Sequence, residues 1–179
     1  LRQGELARAE EILREELVPP IVILGLPRTG TSKLQRTISA DPEVQRLEVW
    51  RLLNPAPIEP GDPQTRIEMG EQFEAALRQV PEFMAAHPME AHEPDEDLWL
   101  MELTFDAPVA SHRMYMPNHR KWLADRQDSV YTYVRDILKY LQWQDGGARN
   151  RPWVLKSPMH IGQVAVLHQL YPGAVFVQC

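Results

Sequence analysis

Pro20-Ile21-Val22-Ile23-Leu24-Gly25-Leu26-Pro27-Arg28-Thr29-Gly30-Thr31-Ser32 reads as an apolar run, then a Gly-bounded loop, then the start of a helix. Ile21 to Leu24 is short, β-branched and apolar throughout, which suits a strand buried on both faces. From Thr31 onward Lys33, Leu34 and Ile38 recur at helical spacing. The loop therefore sits at the strand's carboxyl end. There the N–H groups of Gly30, Thr31 and Ser32 open a helix, and the positive end of its dipole favours an anion. The spelling approaches the nucleotide loop G-x-x-x-x-G-K-[ST], but Thr31 stands at the lysine position and the cation is Arg28, inside the loop. Two hydroxyls and an arginine can bind a phosphate or sulfate group without a metal ion. The competing reading is an ordinary βα turn in which Gly and Pro only punctuate.

A second stretch repeats the strand-then-turn arrangement. Trp153-Val154-Leu155 delivers Lys156 and Ser157 to a strand end, and Pro158 opens a helix that carries His160. Parallel strands place such residues on the same edge as the first loop. Lys156 can neutralise charge on an anion held there, and Ser157 can donate to it. Ser157-Pro158 reads equally well as a plain N-cap with Pro at the first helical position, and His160 as a capping or packing residue.

Around these two blocks the pattern is helical. An amphipathic helix is expected over residues 2–17, with Leu6, Ala9, Ile12, Leu13 and Leu17 in register. The loop helix is expected over residues 31–40, ending before Asp41-Pro42. Pro55, Pro57, Pro60, Gly61 and Pro63 make residues 54–63 an extended connector, placed by this reading over the active face. Residues 64–80 put Ile67, Phe73, Ala76, Leu77 and Val80 on one helical face, and residues 96–105 and 128–143 show similar stripes, read as core. The fold class expected is α/β: a P-loop-like three-layer fold with a parallel sheet flanked by helices and a helix-rich insertion between its first two strands. Residues 1–179 are expected to form a single domain.

Composition excludes several function classes. With 44% hydrophobic and 25% charged residues the chain is an ordinary globular one, and a net charge of -6 without a Lys/Arg stripe argues against nucleic-acid partners. No apolar run approaches the roughly 18 residues of a membrane-spanning helix. A single cysteine forms no internal disulfide and fits a reducing, cytoplasmic location. Oligomeric state leaves no mark.

Leu26-Pro27-Arg28-Thr29-Gly30-Thr31-Ser32 resembles the 5′-phosphosulfate loop of sulfotransferases that use 3′-phosphoadenosine 5′-phosphosulfate, PAPS. Trp153 to His160, followed by a helix and Ala174-Val175-Phe176-Val177-Gln178, is similar to a second block of the bacterial branch. The acidic segment His87-Pro88-Met89-Glu90-Ala91-His92-Glu93-Pro94-Asp95-Glu96-Asp97 resembles that branch's Glu-Pro-acid-acid cluster. This resemblance implies PAPS as co-substrate, no metal, and transfer of a sulfuryl group to a hydroxyl or amine on a small-molecule, glycan or lipid acceptor. It implies donor contacts from Pro27, Arg28, Thr29, Gly30, Thr31, Ser32, Lys156 and Ser157, with Lys156 also stabilising the departing phosphate.

For the base, two sets of candidates stand side by side. Glu48 lies soon after the loop helix, where related enzymes that use glutamate hold theirs. The rival cluster is His92, Glu93, Glu96 and Asp97. On a helix Glu93 and Asp97 share a face, and their repulsion raises one pKa. The blander reading makes Asp95, Glu96 and Asp97 an acidic first turn before Leu98. Two departures from the family pattern are visible: Trp50 is followed by Arg51 where many relatives carry glutamate, and Cys179 stands where a His-Arg-Asp-Pro block and a serine would follow to grip the 3′-phosphate. With Leu1 at the other end, the expectation is a partial sequence. A P-loop NTPase or nucleotide kinase, disfavoured by Thr31, and a non-catalytic truncated fragment are the alternatives.

Overall fold

The computed structural model describes residues 10–57, 62–104, 114–123, 127–147 and 150–179. Three short strands, β1 (Ile21–Leu24), β2 (Val154–Lys156) and β3 (Val175–Gln178), form a parallel sheet in the order β2-β1-β3. The apolar run with which the chain was read is thus the central strand. Val22 and Ile23 are fully buried, as a strand covered on both faces must be. Register pairs Ile23 with Lys156 on one side and with Val177 on the other, so the residues after β1 and β2 leave the sheet at one edge.

Helices fill the long crossover from β1 to β2, as the reading of a helix-rich insertion requires. α2 (Thr31–Ser39) follows the loop, then come α3 (Val49–Leu53), α4 (Gln64–Leu77), α5 (Pro81–Ala86), α6 (Leu98–Glu102), α7 (Pro117–Leu123) and α8 (Gln127–Gln144). A 3₁₀ turn over Pro158–Gln163 and α9 (Val164–Leu170) connect β2 to β3, and α1 (Glu10–Arg14) precedes the sheet. α8 is the main core helix. Val130, Val134, Ile137, Leu138 and Leu141 recur at helical spacing, and the core they enter includes Val22, Leu47, Leu52, Leu100, Trp153 and Leu155. Burying each such side chain contributes roughly 1.5–3 kcal/mol.

Several expectations change in detail. Of the helix expected over residues 2–17, α1 covers Glu10–Arg14, and residues 1–9 lie outside the described residues. The helix expected over 64–80 stops at Leu77, and Pro81 opens a separate helix at a position where its missing N–H costs nothing. α4 also packs through an unexpected face: its buried residues are Arg66 and Gly70, while Ile67, Phe73 and Leu77 stay half-exposed and Ala76 and Val80 are exposed. Gly70 lies flat on Trp50, and the Arg66 guanidinium stands 4.9 Å above the Trp50 ring. The hydrophobic stripe lost to a close backbone approach and a cation–π contact.

The proline-rich connector is displaced from its expected place over the loop. Its described part accepts Arg66 through the carbonyls of Asn54 and Pro55, and Pro57 lines a cavity of about 500 Å³ with Trp50, Arg66, Trp143 and Asp145. Asp145 follows α8 on the way to β2, so this cavity lies at the amino-terminal edge of the sheet, opposite the loop. Residues 58–61 lie outside the described residues. No helix among the described residues is long and apolar enough to cross a membrane.

Candidate active site

β1 ends at Leu24 and the loop begins at a buried Gly25. A Cβ there would stand 2.5 Å from Thr31 Cγ2 and 2.9 Å from Thr29 Oγ1, so only glycine lets the loop fold back on the first helical turn. Thr29 Oγ1 donates to the Leu26 carbonyl at 2.7 Å and closes the loop. Arg28 and Gly30 take left-handed backbone, φ 70° and 91°. Gly30 precedes α2 without a side-chain cap, no acidic residue occupies the first turn, and Leu34 N–H is the one that turns back to the Gly30 carbonyl. The N–H groups ahead of it point out of the helix start with the dipole's positive end, beside the exposed residues Pro27 to Gly30.

Lys156 ends β2 opposite Ile23, two positions before that loop begins. It is 3% exposed, and its Nζ donates to Ser32 Oγ at 3.2 Å and to Glu96 Oε1 at 2.5 Å. The sheet has therefore brought a cation from one block onto a hydroxyl from the other, 124 residues earlier in sequence. Ser157 caps the 3₁₀ turn by accepting from Met159 N–H at 3.2 Å, as in the N-cap reading, and Pro158 follows at the first turn position.

The acidic segment forms a strap across α2. The Arg28 guanidinium donates to the Ala86 carbonyl, Arg36 donates to the Pro88 carbonyl at 3.2 Å and to Glu90 at 2.9 Å, and Gln35 Nε2 donates to the Asp95 carbonyl at 2.9 Å. Its other margin lies on the segment before α3, where Asp95 N–H donates to Leu47 and Val49 N–H to Glu93.

The three consecutive acids at its end do not serve as an acidic first turn. Asp97 precedes α6 with no side-chain cap bond. Instead Asp95 meets His87 Nε2 at 3.0 and 3.1 Å, Glu96 meets Lys156, and Asp97 meets His160 Nε2 at 3.1 Å. His160 is fully buried, and its Nδ1 lies 3.2 Å from the Tyr131 hydroxyl of α8. The ring is thus held from both nitrogens, by Asp97 just before α6 and by Tyr131 on α8. Burial, assisted by Asp97, pushes the Tyr131 hydroxyl well above its usual range. The hydrogen bond to Asp95 raises the His87 pKa above 6.5, against the opposing effect of burial, with the nearby charges of Asp95 and Glu96 adding to the rise and Lys156 reducing it.

Not all the residues singled out in sequence meet at this edge. Pro27, Arg28, Thr29, Gly30, Thr31, Ser32, Lys156 and Ser157 are brought together. Glu48 precedes α3 and pairs with Arg46 at 3.1 Å and Arg51 at 3.7 Å, lining a cleft with Ala40, Asp41 and Arg151 at the far end of α2. That cleft opens at the opposite edge of the sheet, because α2 runs away from the loop. His92 is exposed and bonded to Glu71 at 3.1 Å, and Glu93 faces Arg36 at 3.8 Å, so neither is bonded to the loop or to Lys156. Sequence reading did not single out the contact of His87 with Asp95. The histidine's only advance signal was membership of the acidic segment, eight residues before Asp95. No cluster of metal-ligating side chains occurs among the described residues.

A family profile for sulfotransferases matches residues 19–179. Two solved structures are similar to the chain. A sulfotransferase from Mycobacterium tuberculosis H37Rv shares 28% identity at a TM-score of 0.71 over 98% of this chain and 49% of that one. A sulfotransferase from Mycobacterium avium shares 23% identity at a TM-score of 0.76 over 98% of this chain and 46% of that one, a likeness of fold. The chain thus spans about half the length of each structure it matches. No curated protein sequence matches it.

Proposed function

The chain belongs to the sulfotransferase family, and from that premise we propose that it holds the 5′-phosphosulfate end of PAPS and takes part in moving the sulfuryl group to a hydroxyl or amine of a small-molecule, glycan or lipid acceptor. The observation that carries this reading is the meeting of Lys156 with Ser32 at the mouth of the loop. Loop N–H groups, the Thr31 and Ser32 hydroxyls and the Arg28 guanidinium suit a tetrahedral anion, and Lys156 adds a cation where charge grows on the phosphate as sulfur leaves. Thr31 in place of a P-loop lysine suits a donor handled without a bound metal.

Each cation has a partner within the chain: Arg28 donates to the Ala86 carbonyl, and Lys156 is shared between Ser32 and Glu96. An incoming phosphosulfate competes for both, with Glu96 holding the ammonium at the right edge in the meantime.

Thermal-shift titration with 3′-phosphoadenosine 5′-phosphate tests the assignment. A ligand that binds the folded state stabilises it by about 2.7 kcal/mol at one hundred times its Kd. The expected result is stabilisation by the bisphosphate, none by magnesium-ATP, and loss of the effect in Arg28→Ala. Stabilisation by magnesium-ATP alone would replace this reading with a nucleotide kinase or NTPase.

A further inference from the structure

We propose that His87, oriented by Asp95, is the base that takes the acceptor's proton. The inference rests on the donor-site reading above and adds a residue to it. The pair is pinned at both ends to the cations of the site: the peptide before His87 accepts from Arg28, and Glu96, directly after Asp95, holds Lys156 at 2.5 Å. His87 therefore belongs to the loop's edge of the sheet.

The geometry divides the labour between the two side chains. Asp95 is 5% exposed and fixed on several sides, by its N–H to Leu47, by its carbonyl to Gln35 and by Oδ1, which accepts Glu96 N–H at 2.6 Å. Its carboxylate receives His87 Nε2, which places the proton on that nitrogen and the lone pair on Nδ1. The His87 side chain is 31% exposed, and Nδ1 has no hydrogen-bond partner among the described residues. A buried carboxylate thus orients a solvent-reachable imidazole whose free nitrogen is the basic one. Phe83 supports the ring edge-on at 6.3 Å. Lys156 and Glu96 are the other charges it feels.

In the step assigned to it, the acceptor oxygen forms a bond to sulfur while its proton moves to His87 Nδ1. The bond from sulfur to the bridging phosphate oxygen breaks, and its electron pair leaves with the 3′,5′-bisphosphate. Asp95 stabilises the imidazolium that results. Asp95 acts through His87 and is a positioning residue.

The test compares the wild-type protein with His87→Ala, His87→Asn and Asp95→Asn, using PAPS with water as acceptor and 3′-phosphoadenosine 5′-phosphate as the binding probe. His87→Ala should bind the bisphosphate as the wild type does and release sulfate about 10²–10³-fold more slowly. His87→Asn keeps a polar side chain and guards against a folding failure of the smaller variant. In Asp95→Asn the acid limb of the rate profile and the His87 ring-proton titration followed by NMR should both move to lower pH. Bisphosphate binding with undiminished sulfate release in either His87 variant, or an unmoved His87 titration in Asp95→Asn, overturns the base assignment alone. A wild-type protein that fails to bind the bisphosphate overturns the donor-site reading and this inference with it.

Discussion

Lys156→Met isolates the ion pair at the centre of the site. The Lys156 side chain is 4% exposed and the Glu96 side chain 14%, with 2.5 Å between Nζ and Oε1. Methionine keeps the stem's volume but strands a carboxylate in a largely dry position, and breaking a buried pair from one side costs about 3–5 kcal/mol. Residual exposure of Glu96 lets water reach it, which places the expected loss near the lower bound, about 3 kcal/mol. The contact from Nζ to Ser32 adds about 1 kcal/mol at most, since the hydroxyl can turn to solvent. For a chain of this length that sum, about 3–4 kcal/mol, lowers Tm by about 6–16 °C. Glu96→Gln strands the ammonium and should cost a similar amount, whereas Lys156→Met with Glu96→Gln removes both charges and should return to within about 1 kcal/mol of wild type. Urea denaturation of the four proteins closes a double-mutant cycle, with an expected coupling of at least about 2 kcal/mol. Nucleotide binding separates stability from recognition, because Glu96→Gln keeps the cation and Lys156→Met does not. Two single variants that each lose under about 1 kcal/mol, and whose effects simply add, would refute the argument that this pair is shielded from water.

Gly70→Ala should destabilise the protein by about 1–3 kcal/mol in chemical denaturation even though alanine is the better helix former, because its Cβ would lie 2.6 Å from Trp50 Cβ and 3.0 Å from Trp50 Cα. Unchanged stability would mean that α3 and α4 separate without cost. The raised pKa of His87 gives a pH dependence of definite sign: its contribution is complete below pH 6.5, the unfolded value, and disappears as pH rises through the folded value. Urea midpoints between about pH 5 and pH 8 should therefore fall on the alkaline side, and Asp95→Asn should flatten that part of the curve. A slope that persists in Asp95→Asn would assign it to another group.

The Gly-bounded loop after β1 and the parallel sheet were legible because each is written locally. Ile21 to Leu24 could only be a covered strand, and Gly25 and Gly30 bracket a turn whose backbone needs them. Lys156 was legible for the same reason, as the residue that ends a second such strand. The strap was not, since its acids carry no periodic signal that distinguishes a helix start from a set of cross-chain partners. Local electrostatics favoured a first turn for Asp95, Glu96 and Asp97, yet pairing with His87, Lys156 and His160 won, the last two partners some sixty residues away and invisible to spacing. Glu48 was chosen for its place after the loop helix. A helix carries the chain away from where it starts, so proximity in sequence became distance in space. Gly70, which the apolar stripe of residues 64–80 did not single out, is the point at which α4 touches Trp50.

Asp95, Glu96 and Asp97 each point to a different part of the molecule: the strap's own histidine, the end of β2 and the turn after it. Such an arrangement works like a key with three adjacent teeth. A substitution blunts one tooth and leaves two engaged, whereas inserting or deleting one residue shifts all three against their locks at once. The constraint on this tripeptide is therefore its reading frame more than its composition. An engineer adding length to this chain should place it between α4 and α5, where Arg78, Gln79 and Val80 are exposed, and leave the spacing from Asp95 to Leu98 untouched.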